Sequence, residues 1–176
     1  MLIDMRQLLS GDIDKIAFDY TFSLEDGEFP FDTAIDDVVY TSPVQVTGGI
    51  VNMGGYMRLD ARAVLAYDTR CARCLKPLSR SFEIALTRTA VEQGKLENTP
   101  EEEADDYVEI VGGKLNLDSV IAEELLMGFP VREICSEECK GLCPKCGRNL
   151  NEGECSCEKK EIDPRLAVLA QLLEDK

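Results

Sequence analysis

Eight cysteines carry the chemistry that this sequence offers. Six lie in the 23 residues "CSEECKGLCPKCGRNLNEGECSC", from Cys135 to Cys157, and two in "CARC", at Cys71 and Cys74. The chain of 176 residues has no histidine. Ser–His–acid triads, Cys–His dyads and HExxH metalloprotease sites are therefore excluded. Catalytic zinc sites generally keep an open position beside at least one histidine, whereas cysteine-only sets form closed, structural sites. In a reducing compartment, thiols at this density are metal ligands rather than disulfides.

The spacing suggests how the thiols divide. "CPKCG", Cys143 to Gly147, lets a tight turn aim two sulfurs at one ion, and the glycine permits amides to approach a thiolate. Cys155 and Cys157 follow, so C-x2-C-x8-C-x-C can close a compact four-thiolate site. Cys71, Cys74, Cys135 and Cys139 then form a second site that staples distant parts of the chain. Two other divisions are open: Cys135, Cys139, Cys143 and Cys146 as one local site with Cys155 and Cys157 joining the upstream pair, or a single filled site. Zn2+, as one or two ions, is the expected cofactor, with an iron–sulfur cluster as the coloured alternative. A redox role for "CARC" is disfavoured, because strands flank it where thioredoxin-like motifs join a strand to a helix.

Charge bears on partners. Acidic residues outnumber basic ones 34 to 19, and the net charge is −15. Coordinating thiolates make the chain more acidic still. Such a molecule repels phosphate backbones and attracts basic proteins. The acidic run Glu101, Glu102, Glu103, Asp105 and Asp106 is the candidate surface for a basic partner. The competing surface is basic: Arg73 and Lys76, with Arg70, Arg80 and Arg88 nearby, around the first knuckle, and Lys140, Lys145 and Arg148 around the second. On one face, these would offer RNA a local patch. The carboxylates form no paired motif of the kind a hydrolase needs.

The elements that must position these groups are mostly strands. "IAFDYTF" alternates, with Ile16, Phe18, Tyr20 and Phe22 on one side. "YMRLDARAVLAYD" places Met57, Leu59, Ala61, Ala63, Leu65 and Tyr67 on one face, and Arg58, Asp60 and Arg62 on the other. Phe82, Ile84 and Leu86 repeat the pattern. "CARC" between these strands predicts a knuckle at a hairpin tip. The Gly48–Gly49 and Gly54–Gly55 pairs predict turns or bulges, and "YVEIVGGKLNL" a hairpin turning at Gly112–Gly113. Residues 91–106 read as a loop. "LDSVIAEELLMGFP" reads as a helix capped by Asp118 and ended before Pro130, and "DPRLAVLAQLLEDK" as a terminal amphipathic helix starting at Asp163 and Pro164.

The expected fold is α+β: an antiparallel sheet or barrel in the first half, a short helix, a cysteine-rich zinc-knuckle segment and a C-terminal helix. Residues 1–130 make the β-rich core, and residues 131–176 pack on it. No apolar run approaches the roughly 18 residues that span a bilayer, and no secretory leader is visible, so a cytoplasmic location is expected.

"CARCLKPL" after a long strand, "GLCPKCGRNLNEGECSC" and the terminal "DPRLAVLAQLL" together resemble the YceD family, the large ribosomal RNA accumulation proteins. The similarity is most specific from Tyr67 onward. The resemblance implies a bacterial or plastid protein without established enzymatic activity, supporting synthesis, processing or stability of large-subunit ribosomal RNA. It also implies a gene neighbourhood with a small basic ribosomal protein. The partner expected from charge and resemblance together is a basic ribosomal protein or a pre-ribosomal particle, with no membrane role. In the family the pair matching Cys71 and Cys74 is widespread, whereas the later cysteines are present in some members and lost in others.

Overall fold

The computed structural model describes residues 1–24, 38–54, 56–95 and 106–157. The predicted C-terminal helix, and Glu101, Glu102, Glu103 and Asp105 of the acidic run, lie outside the described residues. No helix among the described residues is long and apolar enough to cross a membrane.

The elements run β1 (Leu2–Asp4), α1 (Arg6–Ser10), β2 (Lys15–Phe22), β3 (Val39–Tyr40), β4 (Val44–Asn52), β5 (Met57–Arg70), β6 (Pro77–Glu92), β7 (Tyr107–Ile110), β8 (Lys114–Asn116) and α2 (Leu117–Gly128). The main sheet has the order β2-β4-β5-β6-β7, with β3 pairing β5 beyond the end of β4. Its ladders are antiparallel except for β6–β7, which is parallel. Among the described residues β2 and β7 stay as edges, so the sheet is open and mixed rather than a closed antiparallel barrel. A separate two-stranded sheet pairs β1 with β8.

The alternating sequence of β5 does what period two requires. Met57, Leu59, Ala61, Ala63, Leu65 and Tyr67 are all buried, while Arg58 and Arg62 are exposed. Ile84 and Leu86 of β6 join them, with Phe82 half-buried. α2 covers this face through Leu117, Ile121, Ala122 and Leu125, and α1 adds Leu8.

Four local expectations change. Gly48 and Gly49 lie inside β4, not in a turn. Gly48 pairs with Phe18 on one side and Ala61 on the other. A Cβ there would sit 2.2 Å from the Asp60 carbonyl oxygen and 2.9 Å from the Phe18 ring, so only glycine lets the three strands approach. Gly112 and Gly113 do make a tight turn, with φ of 58° and 76°, but only Val111 and Lys114 pair across it. The strands then diverge, β7 to β6 and β8 to β1, because β7 follows β6 in parallel register. Finally, α2 begins at Leu117, and its N-cap residue is Asn116. Asp118 sits in the first turn, where its carboxylate accepts a hydrogen bond from the Tyr20 hydroxyl at 2.7 Å. Residues 91 and 92, expected in a loop, still belong to β6.

β5 and β6 form the long hairpin, paired from Met57↔Ala90 to Arg70↔Pro77. Its tip carries "CARC" away from the core. Phe129, just past α2, anchors the return of the chain by packing against Tyr67 and Phe82 at centroid distances of 4.8 and 5.4 Å. The cysteine-rich segment starts from that anchor.

Candidate metal centres

The eight thiols form two groups of four. Cys71, Cys74, Cys135 and Cys139 make one, and Cys143, Cys146, Cys155 and Cys157 the other, with sulfurs in each group within 4.8 Å of one another. The alternative grouping of Cys135, Cys139, Cys143 and Cys146 does not occur.

Both groups are built on the same turn. In the first, the Cys71 N–H donates to the Lys76 carbonyl at 2.9 Å, and the Leu75 N–H to the Cys71 carbonyl at 2.9 Å. In the second, the Cys143 N–H donates to the Arg148 carbonyl and the Gly147 N–H to the Cys143 carbonyl, both at 2.8 Å. The residue after the second cysteine must turn left-handed. Gly147 does so at φ 74°, and Leu75 at φ 59°, where a side chain costs roughly 1–2 kcal/mol. Nothing in the leucine's type announces that conformation; the repeat of the knuckle does.

The donor geometry fits a metal ion. Tetrahedral bonds of about 2.3 Å to sulfur place the sulfurs roughly 3.8 Å apart. Cys71 and Cys139 are separated by 3.9 Å, and Cys74 and Cys135 by 3.7 Å. Amides point at the thiol sulfurs: the Arg73 and Cys135 N–H groups donate to Cys71 Sγ at 3.4 and 3.3 Å. Burial opposes ionisation of Cys71, yet the N–H groups of Cys74, Arg73 and Cys135 outweigh it and bring its pKa down to about 6. For Cys143 the N–H groups of Cys146 and Lys145, with the neighbouring Cys155 thiol, do the same, to about 6. The remaining thiols feel the crowding. The Lys76 N–H favours the Cys74 thiolate, but burial and the thiols of Cys71, Cys139 and Cys135 hold Cys74 up at about 12. Cys157 stands at about 12 through Cys146, burial and Cys143. Four thiolates in one place need a cation between them, and each cluster is shaped to take one.

The clusters differ in setting. Cys71, Cys74 and Cys139 are buried with Leu78, against Ile134 and Leu142. In the second group Cys143 is buried, Cys155 and Cys157 are half-buried and Cys146 is exposed. The first group is also tied to the core. The Ala72 N–H donates to the Glu133 carbonyl at 2.8 Å, and the Tyr67 hydroxyl donates to the Glu133 carboxylate at 2.7 Å. Burial, then Glu133, hold the Tyr67 hydroxyl above the usual phenol range. Arg80 reaches the Ile134 carbonyl.

The basic residues separate into two sets. Arg73 donates to the carbonyls of Glu137 and Cys139, both at 3.0 Å, and so braces the first cluster. Arg88 pairs with Glu124 at 2.7 Å, and Arg80 with Glu133 at 3.7 Å. Arg70, Lys76, Lys140, Lys145 and Arg148 are exposed and make no ion pair among the described residues. Arg132, which the sequence reading passed over, is exposed beside Glu133 and joins this set. Asp106 is exposed, and its carbonyl accepts the Thr89 N–H where the parallel β6–β7 ladder begins.

The sheet's hairpin tip thus meets a later cysteine-rich segment in a four-thiol cluster that could hold a metal ion. The model of the family described as "Large ribosomal RNA subunit accumulation protein YceD" matches residues 59–173, and the chain belongs to that family. It is similar to an uncharacterized protein of Mycobacterium tuberculosis, 34% identical over 104 residues, covering 58% of this chain and 49% of the relative. It is also similar to the chloroplastic large ribosomal RNA subunit accumulation protein YCED homolog 1 of Arabidopsis thaliana, 28% identical over 158 residues, covering 76% and 49%. Uncharacterized protein YlbN of Bacillus subtilis is 27% identical over 138 residues, covering 78% of each chain. The chain thus spans about half the length of the first of these relatives. No solved structure matches it.

Proposed function

We propose that this protein is a non-enzymatic factor in biogenesis of the large ribosomal subunit, supporting the synthesis, processing or stability of its ribosomal RNA in the cytoplasm. Family membership supports the process. The observation that carries the mechanism is the pair of four-thiol clusters, each offering the four sulfurs that a structural metal ion takes. Zn2+ fits them best: it has no redox chemistry and takes four sulfurs tetrahedrally. When bound, it supplies cross-linking, not reaction. The chain's own residues do the rest: Arg73, Tyr67 and Glu133 hold the first cluster against the sheet.

The partner in this reading is a basic ribosomal protein or a pre-ribosomal particle, attracted by a net charge of −15 and by the acidic run that includes Asp106. A second reading, direct contact with RNA, is favoured by one observation. Of the exposed cations that make no ion pair among the described residues, six, Arg70, Lys76, Arg132, Lys140, Lys145 and Arg148, belong to the cysteine-bearing segments and two, Lys15 and Lys114, lie elsewhere, although the whole chain is acidic. A pull-down from cell extract at about 0.1 M and about 1 M salt separates the readings, since the screening length falls from about 10 to about 3 Å. The first reading expects a basic ribosomal protein retained at low salt, lost at high salt and unaffected by RNase. Charge reversal at Lys76, Lys145 and Arg148 leaves that capture intact. Capture that RNase or the reversal abolishes establishes the RNA reading instead, and capture indifferent to salt contradicts both.

A further inference from the structure

The two clusters are separated along the chain by three residues, Lys140, Gly141 and Leu142. Both clusters hold this tripeptide. From the first knuckle, the Arg73 carbonyl accepts the Leu142 N–H at 3.1 Å. Gly141 lies so close that a Cβ would stand 3.0 Å from that same carbonyl oxygen. From the loop between Cys146 and Cys155, the Leu150 N–H donates to the Gly141 carbonyl at 2.9 Å.

Asn151, in that loop, reaches across. Its Oδ1 accepts the Lys140 N–H at 2.8 Å, and its Nδ2 donates to Cys139 Sγ, a thiol of the other cluster, at 3.4 Å. Asn149 fixes the amide's orientation. Its Oδ1 accepts both Asn151 Nδ2–H at 2.8 Å and the Asn151 backbone N–H at 3.1 Å. The Asn149 amide in turn donates to Glu152 at 2.8 Å. A residue of the second cluster's loop therefore serves as the outer support of a first-cluster thiol.

We propose that Asn151 couples the two clusters, so that they load their metal ions as a cooperative pair; this rests on the reading of both clusters as metal sites. An ion in the second cluster closes the loop from Cys146 to Cys155 and so presents the Asn151 amide to Cys139. An N–H aimed at a thiolate stabilises its charge and orients it for ligation. An ion in the first cluster fixes Cys139 and the tripeptide on which that loop rests. Each ion thus orders structure that the other needs, and linkage makes the effect equal in both directions.

The test uses Co2+, whose tetrahedral thiolate complexes absorb in the visible, titrated against a competing chelator. Six proteins are compared. They are the intact chain, Cys155→Ser/Cys157→Ser (first cluster alone), Cys71→Ser/Cys74→Ser (second cluster alone), and each of these with Asn151→Ala. In the intact chain, the product of the two binding constants exceeds the product of the isolated ones by about tenfold or more. With Asn151→Ala that ratio falls to within about twofold of unity. First-cluster affinity drops about tenfold in the intact chain but little when the second cluster is already broken. A ratio near unity in the intact chain overturns the coupling, and a ratio that Asn151→Ala leaves unchanged overturns the role of Asn151. If neither cluster gives thiolate bands, the metal reading itself falls, which is a different result.

Discussion

The two clusters brace the chain over very different spans, and that difference predicts how far each stabilises the fold. The sulfurs of Cys74 and Cys135 lie 3.7 Å apart across 61 positions of chain. Cys146 and Cys155, by contrast, close a span of only nine positions. Loop-closure entropy scales as (3/2)RT ln n, so the first cluster restricts the unfolded chain by about 1.7 kcal/mol more than the second. Burial acts in the same direction, because Cys71 and Cys74 are buried whereas Cys155 and Cys157 are half-buried. For a chain of this length 1 kcal/mol moves the melting temperature by roughly 2–4 °C. With zinc in excess, Cys71→Ser/Cys74→Ser should therefore melt about 3–7 °C below Cys155→Ser/Cys157→Ser. Circular dichroism of the strand signal reads the transition, and metal content checks that each variant has lost one ion. A Cys155→Ser/Cys157→Ser protein that melts as low as its counterpart, or lower, would refute the stapling argument.

Two further outcomes concern the frame that holds the clusters. Gly48→Ala should cost about 3 kcal/mol, the upper range for overpacking, because the new methyl meets the Asp60 carbonyl at 2.2 Å in the middle of three paired strands; a chemical denaturation midpoint unchanged from the parent would contradict this. Tyr67→Phe removes the 2.7 Å hydrogen bond to Glu133 and should cost about 1–2 kcal/mol. Because Glu133 also accepts the Ala72 N–H on its carbonyl, hydrogen exchange at Ala72 should speed up in the same variant, whereas unaltered protection there would show that the tyrosine does not secure the knuckle.

Much of this organisation is legible in the residues. Strict alternation in β5 gives its buried face residue by residue, and the CxxC pairs mark both knuckles, because turn and ligand chemistry are local. The division of the thiols into Cys71, Cys74, Cys135 and Cys139 against Cys143, Cys146, Cys155 and Cys157 is one of the groupings the spacing allows, and the fold selects it. What spacing alone cannot carry is non-local. Gly48 resembles a turn glycine until Phe18 and Asp60 stand beside it. Gly112 and Gly113 announce a hairpin, yet β7 finds β6 in parallel register, a pairing set by contacts far along the chain. Arg73 reads as a free cation for RNA and is instead engaged by two carbonyls across 64 and 66 positions. Asn151 carries no signal as a neighbour of Cys139, because asparagine in a turn is ordinary.

The central claim is that sulfur-only sites hold metal and thereby brace the fold. Native mass spectrometry of freshly purified protein, paired with thiol titration before and after chelation, tests it most directly. The account predicts a mass increment of two zinc ions, thiols that are protected until a chelator is added, and a loss of thermal stability when the metal leaves. A metal-free chain whose eight cysteines all react at once, with melting unchanged by the chelator, would contradict it.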